Sequence, residues 1–308
     1  MSGDLLSDLL APLRLHGVFH SRWLAHAPWG VSGERDDCAL LHYVVTGSCT
    51  VELPGSAPVR LEPGDLAVFP HGSAHRLGDR PGGPAVPLAE VLPEREPGDV
   101  TTVEIPGPGP RTLMLCGGLH YDRAAAAPLY QALPPLLTLR SEQLHAHPLL
   151  GATLHRLAGE WDTAGPGAQL VALRAFEMVF VLALRAALDL GCPADQPILQ
   201  ALRHPGIAAA LRAVHTRFAE TWTLESLAAE AGMSRSAFAA AFRRMVGQAP
   251  MRHLTARRMQ EAARLLTETR LPQHRISERV GYGSPVGFHL AFRQWYGVTP
   301  GDFRHQAG

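Results

Sequence analysis

Arg235, Arg243, Arg244 and Arg293 stand in the last quarter of a chain that contains no lysine. A guanidinium offers a planar fork of donors that fits a phosphate or a guanine edge bidentately, and it stays charged at physiological pH. All 28 basic residues are therefore Arg, and they balance 28 acidic ones. The balance hides a division. Residues 1–200 hold 13 Arg against 21 Asp and Glu, whereas residues 201–308 hold 15 Arg against 7. An acidic body with a basic tail points to a polyanion as the tail's partner, with phosphate neutralisation supplying affinity. A second set of reactive side chains lies earlier. Cys38, Cys49 and Cys116 are thiols that could form a redox switch, the plainer reading being small buried apolar residues. The four Cys lack paired CxxC spacing, and the chain shows no export signal and no membrane-length apolar run. Reduced thiols in a cytoplasmic chain are expected.

The elements that would position these groups are written in caps and stops. Thr223 caps a helix with Leu224, Leu227 and Ala228 inward, and Gly232 makes a turn. Ser234 caps the next helix, whose inner face is Phe238, Phe242 and Val246, and Gly247 ends it. Pro250 opens a third helix, whose stretch from Met251 to Glu268 is about 27 Å long at 1.5 Å per residue. The grammar then repeats. Ile276 and Val280 mark a short helix, and Gly281 ends it. Ser284 caps a helix begun by Pro285, with Phe288, Ala291, Phe292 and Trp295 inward. Gly297 stops that helix, and Pro300 opens a last one containing Phe303. Two such helices held by a rod can enter successive major grooves, about 34 Å apart.

From about Gly206 to Arg304 this resembles the DNA-binding domain of AraC/XylS-type transcription regulators. The carrying stretches are WTLESLAAEAGMSRSAFAAAFRRMVGQAP, RRMQEAARLL and VGYGSPVGFHLAFRQWYGVTPGDFR. The resemblance implies double-stranded DNA and RNA polymerase as partners, with activation the commoner sense of control. It places base-facing positions at Ser236, Ala239 and Ala240 in the first recognition helix, and at Pro285, Val286 and Leu290 in the second, behind Ser284. These residues are plainer than the Arg or Gln that many relatives carry there. Arg235, Arg243, Arg244 and Arg293 are expected on phosphates, with base readout shared by Ser236 and His289.

Residues 38–77 read as short strands with turns at Gly47-Ser48, Pro54-Gly55 and Pro63-Gly64-Asp65, the spacing of a barrel or jelly roll. Gly64 to His75, GDLAVFPHGSAH, matches the second motif of cupins. The stretches DLLSDLLAPLRLHGVFH, APWG, LHYVVTGSCTVEL, LMLCGGLHYD and HPLL extend a resemblance to the cupin-type sensors of AraC-family regulators over most of residues 4–150. That resemblance implies a ligand position at His75. His42 is the one His in the strand where the degenerate first motif would lie, and Cys116 with His120 could complete a site. A His42, His75 and Cys116 set would suit zinc or copper, the alternative being hydrogen-bonded barrel histidines. The broken first motif weighs against the rival function, a metal-dependent cupin enzyme with an attached DNA module.

Gln169 to Leu190 is apolar nearly all round and is expected to pair with its twin, or with helix Ser141 to Gly159, in a homodimer, the plainer reading being a helix buried within one subunit. Its interior charges argue against a membrane span. Gly78 to Gly109 reads as a long irregular connection. The expected architecture is an α+β multidomain chain. A cupin-like β-barrel sensor spans 1–140, a helical dimerisation segment 141–194, a linker 195–205, and an all-α tandem helix-turn-helix domain 206–308. The expected function is transcription regulation without enzymatic activity, with a small molecule, a metal or an oxidant as effector.

Overall fold

The computed structural model describes residues 15–92, 100–121, 130, 133–159, 167–189 and 197–307. Residues 4–14 of the sensor resemblance, Cys192, and positions 195 and 196 of the expected linker lie outside the described residues. The chain divides into two compact units, one of residues 15–121 and 134–191, the other built on residues 192–308.

The first unit begins with β1 (Leu15–His26), β2 (Gly30–Gly33), β3 (Cys38–Thr46), β4 (Cys49–Glu52), β5 (Val59–Leu61), β6 (Leu66–Phe69) and β7 (His75–Gly78). There follow β8 (Val86–Pro87), α1 (Leu88–Val91), β9 (Val100–Ile105), β10 (Arg111–Tyr121) and β11 (Leu137–Leu139). Three helices close it: α2 (Ser141–His145), α3 (Pro148–Gly159) and α4 (Ala168–Asp189). Among the described residues, one sheet runs β11-β6-β3-β10-β1-β9 and the other β5-β4-β7-β2-β8. Trp23, Val44, Phe69 and Met114 of the first pack against Val31, Val51 and Leu77 of the second. This is the cupin-type barrel expected for the N-terminal half.

Nearly every residue of β10 is buried, as a strand covered on both faces requires. Its inner side chains meet the barrel core, and α4 packs on its outer face. Gly117 makes that close approach, because a Cβ there would lie 2.3 Å from the Phe176 ring. Asp65, 3% exposed, ties sheet to helices. Its carboxylate accepts from the backbone N–H of Glu62 and Ser141 and from the Arg140 guanidinium, at 2.7–3.0 Å.

Three expectations change. Gly78–Gly109 is not simply irregular: it holds β8, α1 and β9, and β9 pairs in parallel with β1. The helical segment is not separate, because α3 and α4 pack on one another and on the barrel sheet within one unit. Its first helix is also broken in two, since the residue before Pro148 is steered out of helical conformation.

The second unit comprises α5 (Pro197–Arg203), α6 (Pro205–Thr216), α7 (Leu224–Glu230), α8 (Arg235–Val246), α9 (Pro250–Glu268), α10 (Gln273–Arg279), α11 (Pro285–Tyr296) and α12 (Pro300–Ala307). The expected linker is thus largely helix α5, which buries Ile198, Leu199 and Ala201 and packs on α8. Its two prolines are helix starters rather than breakers. Helix α9 serves both halves of this unit. Met259, Ala262 and Leu266 join Ile276, Val280, Phe288 and Phe292 in the core of the second half.

The contact between β10 and α4 predicts that Gly117→Ala costs about 1–3 kcal/mol by overpacking. Chemical denaturation should show that loss. Gly159→Ala, where a Cβ meets nothing within 4 Å, should stay near neutral.

Candidate functional site

The two recognition helices are local constructions of the same kind. The Ser234 hydroxyl accepts from Ala237 N–H, and the Ser284 hydroxyl from Gly287 N–H. Gly247 and Gly297 end the helices at φ of +80° and +79°, the left-handed cap that favours glycine. Phe238 and Phe242 anchor α8, as Phe288 and Phe292 anchor α11, all four at most 1% exposed. With the inner faces held, the opposite faces point to solvent.

Ser236, Ala240, Arg243 and Arg244 are exposed on α8, and Pro285, Val286, Leu290 and Arg293 on α11. Ala239 and His289 are half-buried at the flanks, so His289 is less available as a base reader than expected. Ser284 is engaged as a cap. Trp295, expected inward, is 40% exposed; Tyr296 takes the inner position, its ring tilted against those of Phe292 and Phe303. Arg235 pairs with Glu225 at 3.0 Å, both well exposed, a contact weak enough to exchange for phosphate. Arg243, Arg244 and Arg293 have no acidic partner among the described residues.

Other arginines of the tail serve the fold. Arg258 donates to the carbonyls of Phe218 and Glu220, and Arg304 to those of Leu266 and Leu271. Charge alone could not separate these from the arginines left open to solvent on α8 and α11. Gln294, exposed beside Arg293, is a further polar residue of this face and stands 50 positions after Arg244 in the repeated pattern.

Beneath α8 lies a buried histidine pair. Gln248, just past the Gly247 cap, donates its amide N–H to His253 Nδ1 at 2.8 Å. His253 Nε2–H is thereby left to donate to His215 Nε2, 3.3 Å away. Both rings are at most 4% exposed, and Phe242 packs edge-on against His253. Burial pushes His253 down to about 4. Burial, then the charges of His253 and Arg257, holds His215 well below the usual histidine range.

In the barrel, His42 Nε2 and His75 Nε2 meet at 2.9 Å. His75 Nδ1–H donates to the Ser73 carbonyl at 2.7 Å, and burial keeps the ring neutral by lowering its pKa. His75 Nε2 is therefore the acceptor and His42 Nε2–H the donor. The pair borders a cavity of about 60 Å³ lined by Ser21, Trp23, Leu40, Leu77 and Cys116 among others. Phe19, Leu88 and Leu92 also line an adjoining recess of about 700 Å³, rimmed by Glu34, Arg35, Asp36 and His120.

This geometry does not fit the expected zinc or copper set. Among the described residues no three His, Cys, Asp or Glu side chains stand where they could hold a metal ion. The lone pair of His75 is directed at a proton on His42. The thiols separate as well. Cys38, Cys49 and Cys116 are all buried, but burial, then Asp65 and Glu62, pushes Cys49 up to about 12. That removes the thiolate needed for a redox role at Cys49. Cys116 is the thiol that lines the cavity.

Residues 4–189 match the cupin family model, and residues 227–306 a helix-turn-helix domain model. The RCS-specific HTH-type transcriptional activator RclR of Escherichia coli (strain K12) is 28% identical over 98% of both chains. The HTH-type transcriptional regulator AlkR of Acinetobacter baylyi is 26% identical, covering 99% of this chain and all of that one. Among solved structures, the DNA-binding domain of the global transcriptional factor AdpA with a target DNA is 32% identical. It covers 33% of this chain and 91% of that chain, with a TM-score of 0.32. A cupin barrel followed by two capped helix-turn-helix units defines an AraC-like DNA-binding transcription regulator. The chain belongs to the cupin family. Among the described residues no helix is long and apolar enough to cross a membrane.

The histidine pair predicts a pH dependence. Unfolded, His253 binds its proton near 6.5; folded, near 4. Between those values the unfolded chain holds more protons, so stability falls as pH falls from about 6.5 towards 4. Denaturant midpoints across that window should fall less steeply in His253→Gln than in the parent.

Proposed function

We propose that the chain is an activator of transcription, working as a homodimer on double-stranded DNA with RNA polymerase as its downstream partner. Its effector is a small, largely apolar molecule taken up by the barrel. The observation that carries the DNA reading is the pair of capped helices, α8 and α11, each anchored by two buried phenylalanines and each turning an uncharged or basic face outward. The activator sense is supported by the likeness to RclR, a transcriptional activator. The largely apolar lining of the cavity, with Ser21, Glu34, Asp36, His42 and His75 as polar members and Cys116 as its thiol, supports the effector reading. A single oxidisable thiol there keeps an oxidant as the second reading. The metal-dependent enzyme has less support, since the barrel lacks three placed ligands among the described residues.

A second copy of the chain is the occupant assigned to the outer face of α4. One face of that helix is already buried within its own unit at Phe176, Val179, Phe180 and Ala183, with Phe176 against Gly117 of the barrel. The other leaves Leu170 58%, Val171 66% and Val181 37% exposed.

Two measurements test this reading. Binding of the full chain to a site selected from random duplexes should weaken with salt. Arg244→Ala should reduce the log–log salt slope by about 1, the loss of one phosphate contact; an unchanged slope removes Arg244 from the interface. Val171→Glu with Val181→Glu should convert a dimeric mass at micromolar concentration into a monomeric one, while a monomeric parent sinks the dimer.

A further inference from the structure

The two recognition helices share one plan but carry different outward chemistry. Taken 50 positions apart, Ser236 answers to Val286, Ala240 to Leu290 and Arg243 to Arg293. Val286 is 68% exposed and Leu290 63%. They lie one turn apart, on the side of α11 opposite Phe288 and Phe292. Packing within the domain does not ask for branched hydrocarbon there, because serine and alanine fill the same places on α8.

Several features say what covers this pair. Ser284 and Pro285 fix the first turn of α11, so Val286 sits in the N-terminal part of a recognition helix, the part that meets base edges. Arg293 ends the same stripe and supplies a phosphate cation at the far side. In the major groove the one apolar group on any base edge is the C5-methyl of thymine. A guanine or cytosine edge would place polar groups against isopropyl and isobutyl with no partner, which costs binding.

We propose that Val286 and Leu290 read thymine C5-methyl groups, so that the half-site facing α11 is specified by where its thymines lie. This rests on the DNA-binding reading above. Helix α8, with Ser236, Arg243 and Arg244, holds its own half-site through hydrogen bonds and phosphates. The protein thus joins one polar reader to one apolar reader.

The full chain is first used to enrich sites from randomised duplex DNA. Each thymine of the enriched site is then replaced singly by deoxyuridine, which removes the methyl group and leaves base pairing intact. Fluorescence anisotropy should show about fourfold weaker binding per contacted methyl, confined to a few thymines in one half-site. In a Val286→Ala, Leu290→Ala variant that penalty should vanish, whereas Arg244→Ala should keep it while binding more weakly overall. Both side chains are mostly exposed, so truncating them leaves the fold in place. Uracil without effect at every thymine, or a penalty undiminished in the double variant, overturns the proposal and leaves the apolar pair to a protein contact. Failure to enrich any sequence is a different result: it overturns the DNA-binding reading and the inference with it.

Discussion

Helix α9 is the constraint on which the DNA-binding half depends. It is a single rod of 19 residues, about 28 Å long, and each end is built into a different core. His253 and Leu254 near its start are buried against the first helix-turn-helix, and Met259, Ala262 and Leu266 against the second. Neither recognition helix can shift without disturbing side chains on that rod. The spacing of two groove-reading elements is therefore a property of one covalent helix. A loop of equal length would leave the same two readers to find their grooves independently, at the cost of ordering it on every binding event.

The repeat of capped helix, glycine stop and proline start shows how little each reader needs for its own positioning. A hydroxyl satisfies the first turn, two phenylalanines fix rotation about the axis, and a left-handed glycine ends the element. Everything not used for that purpose is open to vary. That freedom explains how Ser and Ala on one helix coexist with Val and Leu on the other. It also explains why the arginines divide in two. Arg258 and Arg304 serve backbone carbonyls at element ends, while Arg243 and Arg244 carry no such duty.

These local devices were legible in the sequence because each is complete within a few residues. Ser234, Ser284, Gly247, Gly297 and Pro285 stand in the roles their types suggest. The strands from β3 to β6 were legible from alternation and turn residues, and the meeting of His42 with His75 from the cupin motif. What escaped reading is long-range. β9 looks like loop in a Pro- and Gly-rich stretch until β1 is there to pair with it. α5 looks like a linker until α8 covers Ile198 and Leu199. His215 and His253 are 38 positions apart, and only the packing of α6 on α9 joins them. The bond between the barrel histidines depends on a proton set by the Ser73 carbonyl, which no spacing rule encodes.

The absence of lysine has a consequence for how this protein can be controlled. A DNA face made of lysine can be discharged by acyl transfer to its amines, and its charge becomes a variable. Here every fixed cation on that face is a guanidinium, which does not lose its proton in the range where proteins fold. The electrostatic attraction of the tail is thus a constant of the chain. A change in that attraction then comes from where the guanidinium groups are placed, not from their charge.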